Sequence, residues 1–278
     1  MASKSYVPIL TIAGSDSGGG AGIQADIKTI SALGCFATSA ITAVTVQNTL
    51  GVRAIHSLPL DIIDGQIKAV MEDIQPKAIK IGMVDSPGVV EVIAKNLERF
   101  PKIPVVFDPV MVATSGDKLI KDETIALIVS RLFPLVDLVT PNLDEAMILI
   151  KQTVQSKKDM LVAARRILKL GADSVLLKGG HLKGDIIYDV LAKEGAELHV
   201  FNSPRVNTLN THGSGCSLSS AIAAELGKGK HLAEAVEHAR DYIFEALFHG
   251  KEPITGKGYG PLNHFHNPLK AIIDELDD

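Results

Sequence analysis

The segment Asn210-Thr211-His212-Gly213-Ser214-Gly215-Cys216 sets two glycines just ahead of an apolar helical run, Leu218 to Leu226. A helix start carries unpaired N–H groups and a partial positive charge, so it holds anions. Gly213 and Gly215 remove the side chains that would keep a phosphate away from the amides of Gly213, Ser214 and Gly215. Cys216 then stands at the mouth of that anion site, where a thiol or a substrate proton feels the same field. A thiol at a helix N-terminus is expected to titrate below its reference value near 8.5, which makes a thiolate available close to neutrality. The same residues also read as a permissive helix entry with a small cysteine.

Other residues of chemical interest stand where apolar runs end. Gly14-Ser15-Asp16-Ser17-Gly18-Gly19-Gly20-Ala21-Gly22 holds five glycines in nine residues, a large conformational cost for a simple connector. Its Gly20-x-Gly22-x-x-Ala25 resembles a dinucleotide fingerprint. That fingerprint expects an acidic residue about 20 positions on, and Ile41 to Gln47 has none. No Gly-x-x-x-x-Gly-Lys-Ser/Thr is present, so the chain is not a P-loop protein. Asp26, one turn beyond Gly22, reads either as a dipole-compensating surface charge or as an inward carboxylate for a substrate amine or hydroxyl. Asn142-x-x-Glu145 is a capping box by pattern. With Asp108 it also suits Mg²⁺, which needs only one or two carboxylates besides phosphates and water. Lys178, before Gly179 and Gly180, could neutralise a phosphate. His181 and His212 could contact a ligand, although lone histidines are more often structural or exposed, and His264-x-His266 is too little for a zinc site.

The elements that must position these residues alternate along the chain. Strands are expected at Pro8–Ala13, Phe36–Val46, Ala78–Met83, Val105–Asp108, Leu138–Thr140 and Ser174–Lys178. Helices are expected at Ala21–Leu33, Ile62–Asp73, Pro87–Glu98, Asp122–Leu132, Leu143–Ile150, Lys158–Leu170, Ser217–Leu226 and Leu232–Leu247, with a hairpin near Ile186–Leu191 and Leu198–Phe201. Strands apolar on both faces suit a parallel sheet covered by helices, so the fold class is α/β, doubly wound and mostly parallel, in one domain over 1–278. In such sheets ligands gather at the carboxyl ends of the strands. Asp16, Gln47, Gly82-Met83, Asp108, Asn142 and Lys178 all fall at such ends.

Composition narrows the function. The 278 residues are 46% hydrophobic and carry 28 basic against 32 acidic side chains, with no basic run, which gives nucleic-acid binding no support. Two cysteines, Cys35 and Cys216, make neither a disulfide framework nor a metal cluster, and a reducing cytoplasm fits them. Thr29 to Val52 is uncharged but too rich in Ser, Thr, Asn and Gln for a membrane span. No signal-peptide pattern is expected in Met1 to Tyr6.

Taken together, the motifs resemble the hydroxymethylpyrimidine/phosphomethylpyrimidine kinases of thiamine biosynthesis, in the ribokinase-like superfamily. The resemblance is carried by Ala13 through Asp26, Gln47-Asn48-Thr49, Lys80-Ile81-Gly82-Met83 and Asp108-Pro109-Val110-Met111. It continues through Thr140-Pro141-Asn142-Leu143-x-Glu145-Ala146, Lys178-Gly179-Gly180-His181, Asn207 to Cys216 and Gly256 to His266. It implies a ribokinase-like fold and ATP- and Mg²⁺-dependent phosphorylation of 4-amino-5-hydroxymethyl-2-methylpyrimidine, then of its monophosphate. It implies Cys216 as the base beside the Gly213, Ser214 and Gly215 amides. Gln47 would read the ring, with Gly14, Asp26, Met83 and Val110 around it. Asn142, Lys178, Thr208 and Thr211 would meet the nucleotide, and Glu145 and Asp108 the metal. A homodimer is implied by relatives. Pyridoxal kinases are the nearest alternative; that branch carries a second cysteine after Asp-x-Val-Met, where this chain has Ala113. Ribose and adenosine kinases use an acid where Cys216 stands.

Overall fold

The structure, a computed structural model, describes residues 3–100, 102–111 and 120–276. Ala113 lies outside the described residues. A nine-stranded sheet runs in the order β10-β9-β8-β7-β6-β5-β2-β3-β4. Its strands are β2 (Pro8–Asp16), β3 (Phe36–Asn48), β4 (Gly51–Ser57), β5 (Ala78–Ile81), β6 (Val105–Phe107), β7 (Leu138–Val139), β8 (Ser174–Lys178), β9 (Ile186–Lys193) and β10 (His199–Pro204). From β3 through β2, β5, β6 and β7 to β8 every pairing is parallel, and β4, β9 and β10 are added antiparallel at the two edges.

Alternation along the strands explains the two covering layers. Val105, Phe107, Val139, Val175 and Leu177 point into one buried cluster with α2 (Leu60–Ala69), α3 (Pro87–Arg99), α5 (Leu143–Ile150) and α6 (Lys157–Leu168). Their neighbours Val106, Leu138 and Leu176 point to the other face, against α1 (Gly22–Ala32), α7 (Ser214–Gly227) and α8 (Leu232–Gly250). Successive side chains of a strand face opposite sides, so these fully apolar strands need helices on both. The short α4 (Asp122–Leu127) adds Ile125 to the first cluster.

Three differences from expectation bear on the site. The strand expected to stop at Val46 runs on to Asn48 and turns back as β4, with the Leu50 N–H donating to the Asn48 side chain at 2.9 Å. Such an Asx turn is a hairpin signal of polar residues, not of apolar periodicity. α7 starts at Ser214 instead of Ser217, because small residues without periodicity already adopt the helix. Terminal segments β1 (Ser3–Tyr6) and β11 (Ile273–Leu276) pair as a separate antiparallel ribbon whose partners are too far apart in sequence to be read together.

Candidate active site

The start of α7 is built to stay open. Gly213 caps it at φ +85°, no side chain caps the helix, and its first turn holds no acid. The Ser214 N–H turns back to the Thr211 carbonyl at 3.1 Å. The next amides, of Gly215 and Cys216, point out of the helix end. A Cβ on Gly213 would collide with the Gly20 carbonyl, so the Gly18–Gly22 loop is packed directly against this helix start. The Gly22 N–H also reaches the Cys216 sulfur. The two glycine-rich segments, far apart in sequence, therefore form one surface.

Charge collects beside it. A Cβ on Gly215 would lie 3.1 Å from Lys178 Nζ and 3.4 Å from Asp108 Oδ2. Lys178 pairs with Asp108 at 2.7 Å, and the Thr140 hydroxyl donates to the same carboxylate at 3.0 Å. Burial works to lower the Lys178 pKa, but Asp108 and Glu145 outweigh it and hold the ammonium above its ordinary value. Asn142 and Glu145 form the expected capping box: the Asn142 side chain accepts the Glu145 N–H at 3.0 Å, and Glu145 Oε2 accepts the Asn142 N–H at 2.7 Å. The other Glu145 oxygen accepts the Met111 N–H at 3.4 Å. The two readings of this motif are compatible, because capping consumes one oxygen of a carboxyl that also lies in the field of Lys178 and Asp108.

Burial, and secondarily the charge of Asp108, push the Glu145 carboxyl up to about 7, against the pull of Lys178. An unfolded glutamate titrates near 4.3. Between those values the folded chain holds a proton that the unfolded chain has released, so the ligand-free protein loses stability as pH rises through this window. Glu145→Gln keeps an acceptor for the capping box and removes the charge. The variant is expected to show a flatter stability curve between about pH 4.5 and 7, and a urea midpoint at pH 8 no lower than wild type. A lower midpoint at pH 8 contradicts this account.

Cys216 corrects one expectation. Half-buried at the site, its thiol is pushed up to about 11, chiefly by burial and only partly offset by Lys80. Burial is the largest influence on it, so the thiol lies above its ordinary value instead of below it. Asp26 corrects another. It is neither at the surface nor open to a ligand, being fully buried with both oxygens occupied. Lys80 donates to its two oxygens at 2.9 and 2.8 Å, Thr11 at 2.6 Å and Ser220 at 2.8 Å. Asp26 instead ties α1 to β2, β5 and α7. A lysine inside the apolar run Ala78-Ile79-Lys80-Ile81 was the sequence signal for this pair.

On the other side of the α7 start, a Cβ on Gly14 would lie 2.8 Å from Met83 Cε. Val110 is half-buried just beyond Asp108, its N–H bonded to the Asp108 carbonyl at 2.9 Å. Gln47, also half-buried, stands 3.4 Å from His212. His212, read from sequence as a lone histidine, is buried and 3.0 Å from Asp16. Asp16 accepts the N–H groups of Gly18, Gly20 and Ala21, so it shapes the glycine-rich loop. The Thr208 hydroxyl is engaged by backbone, donating to the Lys251 carbonyl at 3.2 Å and accepting the Asn210 N–H at 3.0 Å. Its side chain therefore has little left to offer a nucleotide. His264 is buried against Ser217 at 2.9 Å, a packing role. Among the described residues no group of three or more His, Cys, Asp or Glu is arranged to hold a metal.

Residues 16–263 match the family model of phosphomethylpyrimidine kinase. The chain belongs to that family. It is 47% identical to the hydroxymethylpyrimidine/phosphomethylpyrimidine kinase of Rhizobium meliloti over 92% of its own length and 96% of that protein's. It is 46% identical to a thiamine biosynthesis bifunctional protein of Geobacter sulfurreducens, again over 92% of this chain but only 52% of that one. Among solved structures it is similar to the phosphomethylpyrimidine kinase of Clostridium difficile 630, with a TM-score of 0.77 and 44% identity over 87% and 99% of the two chains. It is also similar to the pyridoxal kinase of Bacillus subtilis in an ADP complex, with a TM-score of 0.84 and 35% identity over 94% and 98%. The family makes the protein a kinase, with ATP as phosphate donor, and the doubly wound sheet is the fold of these ribokinase-like neighbours.

Proposed function

We propose that the kinase, as a single domain, phosphorylates the alcohol of 4-amino-5-hydroxymethyl-2-methylpyrimidine and then the resulting monophosphate. The observation that supports this best is the junction of the α7 start with Lys178, Asp108 and Glu145 on one side and Gln47, Gly14 and Met83 on the other. Phosphoryl transfer asks for positioning and positive charge more than for covalent chemistry. The Gly215 and Cys216 amides would hold the transferring group, and Lys178 would neutralise phosphate oxygens. Gln47 offers a donor and an acceptor to an aminopyrimidine edge. Gly14, Met83 and Val110 would wall the ring. Asn142, Thr208 and Thr211 would border the nucleotide, Thr208 through its position more than its hydroxyl.

Mg²⁺ fits the residues present, because Asp108 and Glu145 are buried carboxyls within electrostatic reach of each other, and burial foremost, with Asp108 second, pushes Glu145 up to about 7. Bound with ATP, the ion would neutralise charge on the phosphates. Cys216 would accept the alcohol proton as a thiolate, a form that the positive charges of Lys80 and of a bound Mg²⁺ would favour by drawing its pKa down from about 11, against the negative charge of the nucleotide. A homodimer and a cytoplasmic location are proposed on the family resemblance. The two unpaired cysteines fit a reducing compartment, and no helix among the described residues is long and apolar enough to cross a membrane.

The test is an assay of products by mass with MgATP and the pyrimidine, pyridoxal or ribose. One and then two added phosphates on the pyrimidine are expected. Phosphorylation of pyridoxal alone would overturn the reading. Cys216→Ala is expected to bind the pyrimidine yet turn over about 10²-fold or more slowly, the usual scale for losing a general base; unchanged turnover removes the thiol from the mechanism.

A further inference from the structure

Hydrogen-bond accounting around Gln47 meets two conflicts with one solution. The Thr45 hydroxyl has one proton, yet two acceptors face it: the Ser15 carbonyl at 2.9 Å and Gln47 Oε1 at 3.2 Å. On the other side, Gln47 Nε2 faces His212 Nε2 at 3.4 Å. That nitrogen of His212 is itself committed. It lies 3.0 Å from Asp16 Oδ2, and the Asp16 carboxylate already accepts from Gly18, Gly20 and Ala21. An acceptor-only carboxylate requires a hydrogen on the His212 nitrogen, whether the ring is neutral or cationic. With that hydrogen directed at Asp16, the Gln47 Nε2–H faces a ring nitrogen that has no lone pair to accept it. Turning the Gln47 amide over removes both conflicts, and amide orientation is an assignment made from such networks. The Gln47 Nε2 then donates to Thr45, whose proton goes to Ser15, and the Gln47 Oε1 becomes the second, longer acceptor of the one His212 Nε2 hydrogen, at 3.4 Å against 3.0 Å to Asp16.

We infer that Asp16, through His212, and Thr45 are positioning residues that lock the polarity of the Gln47 amide and thereby select an amino-substituted ring edge over an oxo-substituted one. The inference deepens the pyrimidine reading and rests on it. The substrate alcohol must point toward Cys216, which fixes the order in which the exocyclic group and the ring nitrogen meet Gln47. A free amide would rotate to suit either an amine with a bare ring nitrogen or a carbonyl with a protonated one. A locked amide suits one and leaves buried polar groups unpaired with the other. The chain also guards this arrangement sterically: a Cβ on Gly20 would collide with the His212 ring.

The experiment compares kcat/KM for the 4-amino substrate and its 4-oxo analogue in wild type, Asp16→Asn and Thr45→Val. Sites that hydrogen-bond one edge reject the wrong one by about 10⁴-fold. Each variant is expected to cut the wild-type preference by at least about tenfold, because the amide regains its freedom. A preference within tenfold of wild type in the folded variants, with kcat/KM for both substrates falling together, overturns the inference. Should Asp16→Asn fail to fold, Thr45→Val and the wild-type ¹⁵N spectrum of His212 still decide. Nε2 is expected to carry hydrogen, and a bare Nε2 overturns the scheme. If wild type phosphorylates neither pyrimidine, the proposed function fails while the His212 spectrum tests the hydrogen-bond scheme independently.

Discussion

Lys80→Met is expected to destabilise the protein by about 3–5 kcal/mol, the scale for stranding one member of a buried ion pair. Lys80 and Asp26 have fully buried side chains, 2.8 Å apart at closest approach. Removing the ammonium leaves a buried Asp26 carboxylate with the Thr11 and Ser220 hydroxyls as its remaining side-chain donors. Burial works against the Lys80 charge, but Asp26 foremost, with Cys216 and Asp108, holds its pKa above the ordinary lysine value. Asp26→Asn should cost a comparable amount by stranding the ammonium. The double variant Asp26→Leu/Lys80→Met should recover much of either loss, since an apolar replacement of the whole pair is often neutral. Urea denaturation of the three variants measures this. Single variants within 1 kcal/mol of wild type would mean that the pair is wet or dispensable.

Gly213→Ala is expected to lower kcat/KM by about 10²–10³-fold, the scale for losing an amide donor aimed at developing charge. At φ +85° an alanine is strained by about 1–2 kcal/mol, and its methyl would meet the Gly20 carbonyl. The helix start must move away from the Gly18–Gly22 loop, which carries the Gly22 N–H away from Cys216. The strain alone leaves a domain of this size folded, so helix content should survive while turnover falls. Steady-state kinetics with circular dichroism separate the two. Near-normal kcat/KM in a folded variant would show that the loop contact has no catalytic weight.

The layer architecture was legible because β2, β5, β6 and β8 are apolar on both faces and alternate with amphipathic helices, a pattern few folds satisfy. The strand-end rule likewise placed Asp108, Asn142, Lys178 and Met83 at one rim, and the structure joins Asp108, Glu145 and Lys178 within hydrogen-bond or electrostatic reach. What was not legible depends on distance in sequence. Asp26 read equally well as a first-turn surface charge or an inward carboxylate for a ligand until Lys80, 54 residues away, was seen to meet it. His212 looked solitary because its partner Asp16 lies 196 residues earlier. The Cys216 thiol was misjudged for another reason. The helix start is local and visible in sequence, whereas burial, the largest influence on the thiol, comes from tertiary packing.

The most direct measurement is an amide ¹H–¹⁵N spectrum of the kinase with MgADP, aluminium fluoride and the hydroxymethylpyrimidine, a mimic of the transferring phosphoryl group between donor and alcohol. The Gly215 and Cys216 amides are expected to move strongly downfield and to gain protection from exchange, as donors to an anion do. Amides of Gly213–Cys216 left unmoved, in a complex where residues around Lys178 respond, would contradict the account.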